Sequence, residues 1–410
     1  MPRSAPRAAD PDRAASSASS ASSASSASSA TSAGSAHSAL PALSALSDRA
    51  LNRALLARQL LLERASITPV AAIERLAGLQ AQWSPAPYIG LWSRLARFAI
   101  ADLERALADR TVVKATVMRG TLHLLSAREF PFYATATAAA RSDLWRNPKL
   151  EAGIDLDRLE ARLLRYTAKT PRSFDELAEF IADAAPGDRD RQRYLIRRLV
   201  FNRGAVVHTP PSGTWRHFRT GGYIAGRSWV TGWHEPAVAE ATDHVVRRHL
   251  AAFGPATVDD IGSWSSVRTP LIRESLARLA GITRFRDARG RELYDLTRAP
   301  RPDPETPAPV RFLPKWDSTL LAYAAPERVR ILPEHHRKTV IQKNGDVLQT
   351  ILVDGMVAGT WTTAVTRGEA VLTVTPFATL DRDDRAALVD EGERLIRFVE
   401  PEAKRHGVTL

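Results

Sequence analysis

From Asp48 the leucines of Asp48-Arg-Ala-Leu-Asn-Arg-Ala-Leu-Leu-Ala-Arg-Gln-Leu-Leu-Leu62 recur at three- and four-residue steps, which predicts a helix with one apolar face. Thr68-Pro69 opens a second helix, the hydroxyl placed to cap and the ring suited to the first turn, expected to end near Leu79. Further helices over 87–96 and 100–110 precede two alternating stretches, 112–118 and 121–125, joined by Arg119-Gly120. That alternation predicts a β-hairpin, and helices followed by a two-stranded ribbon make a winged helix. The same order returns over 174–181, 189–202, 204–208 and 215–218, and again over 258–264, 271–279, 282–286 and 291–295.

A Pro-rich stretch at 299–309 ends this pattern. Beyond it, strand-like runs are punctuated by Asn344-Gly345, Asp354-Gly355 and Arg367-Gly368, and a helix is expected over 383–398. The fold expected is therefore α+β, with three tandem winged-helix units at 48–150, 151–232 and 233–298. The connector 299–309 then leads to a small antiparallel β-barrel-like domain with a terminal helix at 310–410. Residues 1–47 are mostly a Ser/Ala repeat with almost nothing bulky to bury, and a disordered tail is expected there.

Charge changes this picture more than length does. The formal net charge is +12, and Arg3, Arg7 and Arg13 against Asp10 and Asp12 leave only +1 in the tail, so +11 lies in 48–410. Such a balance points to a polyanionic partner. Arginine outnumbers lysine 50 to seven, which suits bidentate contact with phosphate or guanine, although GC-biased codon usage produces the same ratio. Cysteine is absent, which excludes disulfides, thiolate nucleophiles and Cys-ligated metals. No zinc-helix, nucleophile-elbow or phosphate-loop motif appears, so neither metal nor cofactor is expected. With no apolar run long enough to span a bilayer and no secretory h-region, a cytoplasmic protein is expected, nucleoid-associated when bound to DNA, without membrane contact and monomeric.

Gln80 and Gln82, in Gly78-Leu-Gln-Ala-Gln-Trp-Ser-Pro85, carry the candidate chemistry. In a helix residues two apart point about 200° from each other, whereas in an extended segment they share a face. Gly78 weakens the last helical turn and Ser84-Pro85 favours an extended Ser84, so the two amides are expected to act together. End-of-helix glutamines also commonly satisfy neighbouring backbone groups.

The segments Gly78-Leu-Gln-Ala-Gln82, Pro87-Tyr-Ile-Gly-Leu-Trp92, Met118-Arg-Gly-Thr-Leu-His123 and Leu352-Val-Asp-Gly-Met-Val-Ala-Gly-Thr-Trp361 resemble the AlkZ-like tandem winged-helix DNA glycosylases, over about residues 50–400. The resemblance implies three winged helices framing a DNA channel, a C-terminal β-barrel, and excision of alkylated purines or unhooking of interstrand crosslinks. The family's Gln-hydrophobic-Gln catalytic motif falls on Gln80, Ala81 and Gln82, with an unusually small middle residue. Gln rather than Asp at position 82 is similar to the crosslink-resistance branch.

Double-stranded DNA with an alkylated base is the partner expected. Contacts are expected from Arg119 and His123 beside the glutamines, from the stripe Arg189, Arg193 and Arg197, and from Arg216, Arg219, Arg284, Arg286 and Arg289 on the wings. His123 is also read as a structural histidine, and Asp317 as a turn cap. The competing reading is a non-enzymatic DNA-binding regulator in which the glutamines only stabilise the first unit.

Overall fold

Capping chemistry sets the helices where the apolar pattern puts them. In a computed structural model that describes residues 44–203, 205–219 and 221–410, Ser47 and Thr68 accept hydrogen bonds from Ala50 N and Ala71 N at the heads of the helices Asp48–Arg58 and Pro69–Arg75. Ser173 and Thr257 form reciprocal capping boxes with Glu176 and Asp260 on Phe174–Ala184 and Val258–Ser265. Most of the tail, residues 1–43, lies outside the described residues. Its last residues are ordered, contrary to expectation: Ala45–Leu46 forms strand β1, and Ser44 O accepts from Arg286 N at 3.0 Å.

The remaining strands are β2 (Leu79–Gln80), β3 (Val112–Thr116), β4 (Leu122–Ser126), β5 (Val206–His208), β6 (Tyr223–Ala225), β7 (Ile282–Asp287), β8 (Glu292–Leu296), β9 (Arg311–Leu313), β10 (Thr350–Val353), β11 (Met356–Thr366), β12 (Glu369–Pro376) and β13 (Arg405–Thr409). They make three sheets, ordered β1-β7-β8, β2-β4-β3-β5-β6 and β13-β12-β11-β10-β9. The molecule is thus mixed α+β.

Two expectations about strands are corrected. Residues 215–218 form no ribbon with β5, the described part of the expected strand 204–208; β5 pairs antiparallel with β6 and with β3, so one sheet joins the first two units. Trp215 is drawn instead onto Tyr88 and Phe398, ring centroids 5.3 and 5.8 Å away, and Arg216 adopts φ +56, a left-handed conformation that interrupts a strand. The C-terminal sheet is open rather than a closed barrel. Strands β9 to β12 form an antiparallel meander, and the helix Arg382–Val399 returns the chain so that β13 joins β12 in parallel, leaving β9 and β13 as edges.

A continuous apolar core runs from Leu55 and Leu56 through Val113 and Leu125 to Phe253, Trp264 and Leu352. Buried ion pairs fasten distant segments across it. Arg58 grips Asp295 through two bonds of 2.7 and 2.9 Å and donates to Pro300 O in the Pro-rich connector. Arg94 donates to Asp317 at 2.8 Å, while Asp317 accepts from Thr319 N at 3.0 Å, the turn-capping role read for it. The Arg94–Asp317 pair anchors the C-terminal end of the helix Pro85–Arg94, which follows the glutamine segment directly.

Candidate functional site: a glutamine pair at a cationic cleft

The helix Pro69–Arg75 ends through Ala77 and Gly78, at φ +59 and +90, which swing the chain into β2. A Cβ on Gly78 would stand 2.7 Å from Leu125 Cδ2, so glycine is needed for both backbone angle and space. Strand β2 pairs with β4, Gln80 opposite His123, and Ala81 N extends the ladder to Leu122 O at 2.8 Å. In this extended geometry Ala81 is buried while Gln80 Nε2 donates to Gln82 Oε1 at 2.5 Å. Gln80 is 6% exposed and Gln82 lies at the surface. Ser84 is not extended as expected: it is helical, at φ −53 and ψ −37, because Ala86 N closes a turn onto Trp83 O, and its hydroxyl donates to His217 O.

Arg119 and His123 lie behind the pair. Arg119 donates from Nη2 to Gln80 Oε1 at 2.9 Å and from Nη1 to Trp264 O at 2.7 Å. Burial, and then the nearby Arg328, lower its pKa to about 10, so it remains charged at neutral pH. His123 is 1% exposed, and burial followed by Arg119 lowers its pKa to about 3. Its Nδ1–H therefore donates to Thr121 O at 2.9 Å, leaving Nε2 as an acceptor 3.4 Å from Arg119 Nη2.

Gln82 opens into a cavity of about 520 Å³ whose wall includes Thr121, Leu122, Trp145, Phe174, Arg193 and Arg197. Arg193 and Arg197 project from the helix Arg189–Ile196 and the wider π-helical turn Arg197–Arg203 that continues it. Both are exposed, and neither has a carboxylate partner among the described residues. Arg197 instead lies over the ring of Trp145, 3.1 Å from its centroid, and Trp145 is 56% exposed. Arg189, on the same helix, is exposed. Trp145 escapes sequence reasoning because a single aromatic outside an apolar period carries no signal until the fold places it, and Phe174 because it reads as part of the apolar face of its own helix.

The other expected contacts are distributed differently. Arg219 is exposed beside Phe218, whereas Arg216 binds Glu400 and donates to Val399 O. On the β7–β8 hairpin Arg284 pairs with Glu292 at 3.2 Å, Arg286 donates to Gly290 O, and Arg289 lies 3.7 Å from Glu327. A larger cavity of about 1010 Å³ lies elsewhere, lined by Arg58, Glu74, Arg75 and Arg248. It contains neither glutamine, and Arg58, Glu74 and Arg248 are already in ion pairs, so the smaller cavity defines the site.

Among the described residues no carboxylate lines the smaller cavity, and an amide can neither take nor give a proton at neutral pH. The arrangement can orient water and polar atoms and attract phosphate, but it supplies no general acid. Among the described residues, no group of three or more His, Asp or Glu side chains is placed to hold a metal ion.

A site of amides and unpaired arginines on a mixed α+β scaffold suits a nucleic-acid enzyme that works by positioning. Comparison identifies the family: the model of the DNA glycosylase AlkZ-like family matches residues 73–398, and the chain belongs to that family of N-glycosyl hydrolases. The chain is similar to an interstrand DNA cross-link repair glycosylase from Streptomyces sahachiroi, 28% identical over 372 residues, covering 83% of this chain and 94% of the relative. In fold it is similar to the solved Streptomyces sahachiroi DNA glycosylase AlkZ, with a TM-score of 0.73 at 23% identity over 89% of this chain and all of that one. Among the described residues no helix is long and apolar enough to cross a membrane.

Proposed function

We propose that the protein is a monofunctional DNA glycosylase that excises cationic, alkylated purines from duplex DNA or unhooks interstrand crosslinks, with Gln80 and Gln82 at its catalytic centre. The observation that carries this reading is the hydrogen-bonded glutamine pair at the mouth of a cleft with Arg193, Arg197 and Trp145 on its wall. An N3- or N7-alkylated purine already carries positive charge, so its bond to C1′ breaks without prior protonation. The bonding electrons neutralise the departing base, water forms the new C1′–O bond, and the water proton passes to solvent. A site without a carboxylate suffices for such a leaving group and discriminates against neutral purines. Gln82 orients the attacking water and the departing base, while Gln80 holds Gln82.

Arg189, Arg193, Arg197 and Arg219 contact phosphates in this reading, with Trp145 beside the displaced base. The three helix-and-strand groups act as winged helices along the duplex, the C-terminal sheet as a platform, and the protein works as a cytoplasmic monomer. The interstrand-crosslink activity in the relative's name is the stronger of the two substrate options, because position 82 is Gln. Purified protein incubated with a duplex holding one N7-methylguanine, or one crosslink, should yield strand breaks after alkali. Gln80→Ala and Gln82→Ala should abolish them while duplex binding persists. Breaks formed at the wild-type rate by both variants would reject these roles.

A further inference from the structure

We propose that Arg119 is a positioning residue that fixes the orientation of both glutamine amides, so that Gln82 presents its N–H donor to the substrate. The inference rests on the catalytic reading of Gln82. A guanidinium carries only donors, so the Gln80 atom 2.9 Å from Arg119 Nη2 is the carbonyl oxygen. Gln80 Nε2 is thereby turned onto Gln82 Oε1, at 2.5 Å. Gln82 Nε2 is left at the cavity mouth with no protein acceptor among the described residues.

Each bond in this chain sharpens the next donor, so the charge of Arg119 is felt at Gln82 as a stronger N–H. The atom it meets is an acceptor on the departing base, whose lone pairs gain electron density as the C1′–N bond breaks. Gln82 Oε1 keeps one lone pair for water.

Arg119 is itself held from three sides. Besides Gln80 it binds Trp264 O at 2.7 Å, its own N–H donates to Ser266 Oγ at 3.2 Å, and His123 Nε2 stands 3.4 Å away. The guanidinium therefore lies behind the buried Gln80 and links the site to the end of the helix Val258–Ser265.

The test uses the full chain with Arg119→Met and Arg119→Gly; the φ of +55 at this position suits glycine. Single-turnover release of N7-methylguanine should fall about 100-fold in both, the scale of losing one oriented donor in an active site. Affinity for unmodified duplex and its salt dependence should not change, and added guanidinium ion should partly restore release by Arg119→Gly. Unchanged release together with a salt slope reduced by about 1 would make Arg119 a phosphate contact and overturn the proposal. Side-chain amide exchange in the wild-type chain gives a reading that needs no variant: slow for Gln80 and fast for Gln82 is expected, and the reverse order overturns the assigned orientation. Absence of any base release by the wild type would sink the glycosylase reading of this substrate, while amide exchange would still decide the role of Arg119.

Discussion

The helix Arg189–Ile196 and the β7–β8 hairpin are both rich in arginine, yet the structure treats their charges in opposite ways. Arg193 and Arg197, one helical turn apart, face the cavity that holds Gln82 and have no carboxylate partner among the described residues. On the hairpin, Arg284 is matched by Glu292, Arg289 faces Glu327, and Arg291 is locked to Asp287 and Glu327. Like charges at this helical spacing repel unless something anionic compensates them. The hairpin carries carboxylates for Arg284, Arg289 and Arg291, whereas among the described residues none serves Arg193 or Arg197. A count of arginines therefore does not separate the two groups; the presence of an internal carboxylate partner does.

The largest effect should come from Gln82→Ala, which removes the group at the cavity mouth: release of an N7-alkylpurine should fall about 10²–10³-fold, measured under single turnover with duplex affinity retained. Loss of affinity with release intact would move the chemistry away from the cleft and erase the contrast. On the hairpin side, Arg291→Ala should act on stability, not on DNA binding. It strips Asp287 and Glu327, 3% and 5% exposed, of their main cation, and should lower unfolding free energy by about 1–3 kcal/mol in denaturant titration. Weakened DNA binding by a protein of unchanged stability would contradict that division.

Acid should destabilise the fold through three buried histidines. Burial lowers the pKa of His123 and His208 to about 3 and of His249 to about 4. Above about pH 6.5 both folded and unfolded forms hold these rings neutral. Below it the unfolded chain takes up protons that the folded one refuses, so stability falls as pH drops toward the folded values, by at most about 1.4 kcal/mol per pH unit for each ring. A melting temperature constant between pH 6.5 and 4.5 would show these rings protonated in place. The smallest change is expected for Trp145→Ala, which removes the ring under Arg197 and should weaken duplex binding by about 0.5–1 kcal/mol, as read by fluorescence anisotropy.

How much of this was legible in the sequence follows the range of the interactions. Helix starts at Thr68, Ser173 and Thr257, and the hairpin turn at Asp354-Gly355, depend on neighbours a few residues away and are where local chemistry puts them. The extended exit at Gln80 was readable from Gly78 for the same reason. The pairing of β3 with β5 was not, because it joins segments far apart in sequence whose only local sign is alternation. The open C-terminal sheet escaped likewise, since the parallel return of β13 is set by the helix Arg382–Val399 packing across the sheet. In the site, the glutamines were visible as a motif. That Arg119 stands behind Gln80 required the β2–β4 register, and that Arg289 faces Glu327 required the segment Ala325–Arg330 to fold against the hairpin.

The comparison between the two arginine groups is tested most directly by the salt dependence of duplex affinity in two double variants. Removing one arginine that neutralises a phosphate should flatten the slope of log K against log salt by about 0.9. Arg193→Ala with Arg197→Ala should therefore reduce the slope by about 2, while Arg284→Ala with Arg289→Ala should leave it near that of the wild type. The opposite pattern, with the hairpin pair carrying the salt dependence and the helix pair silent, would contradict the account.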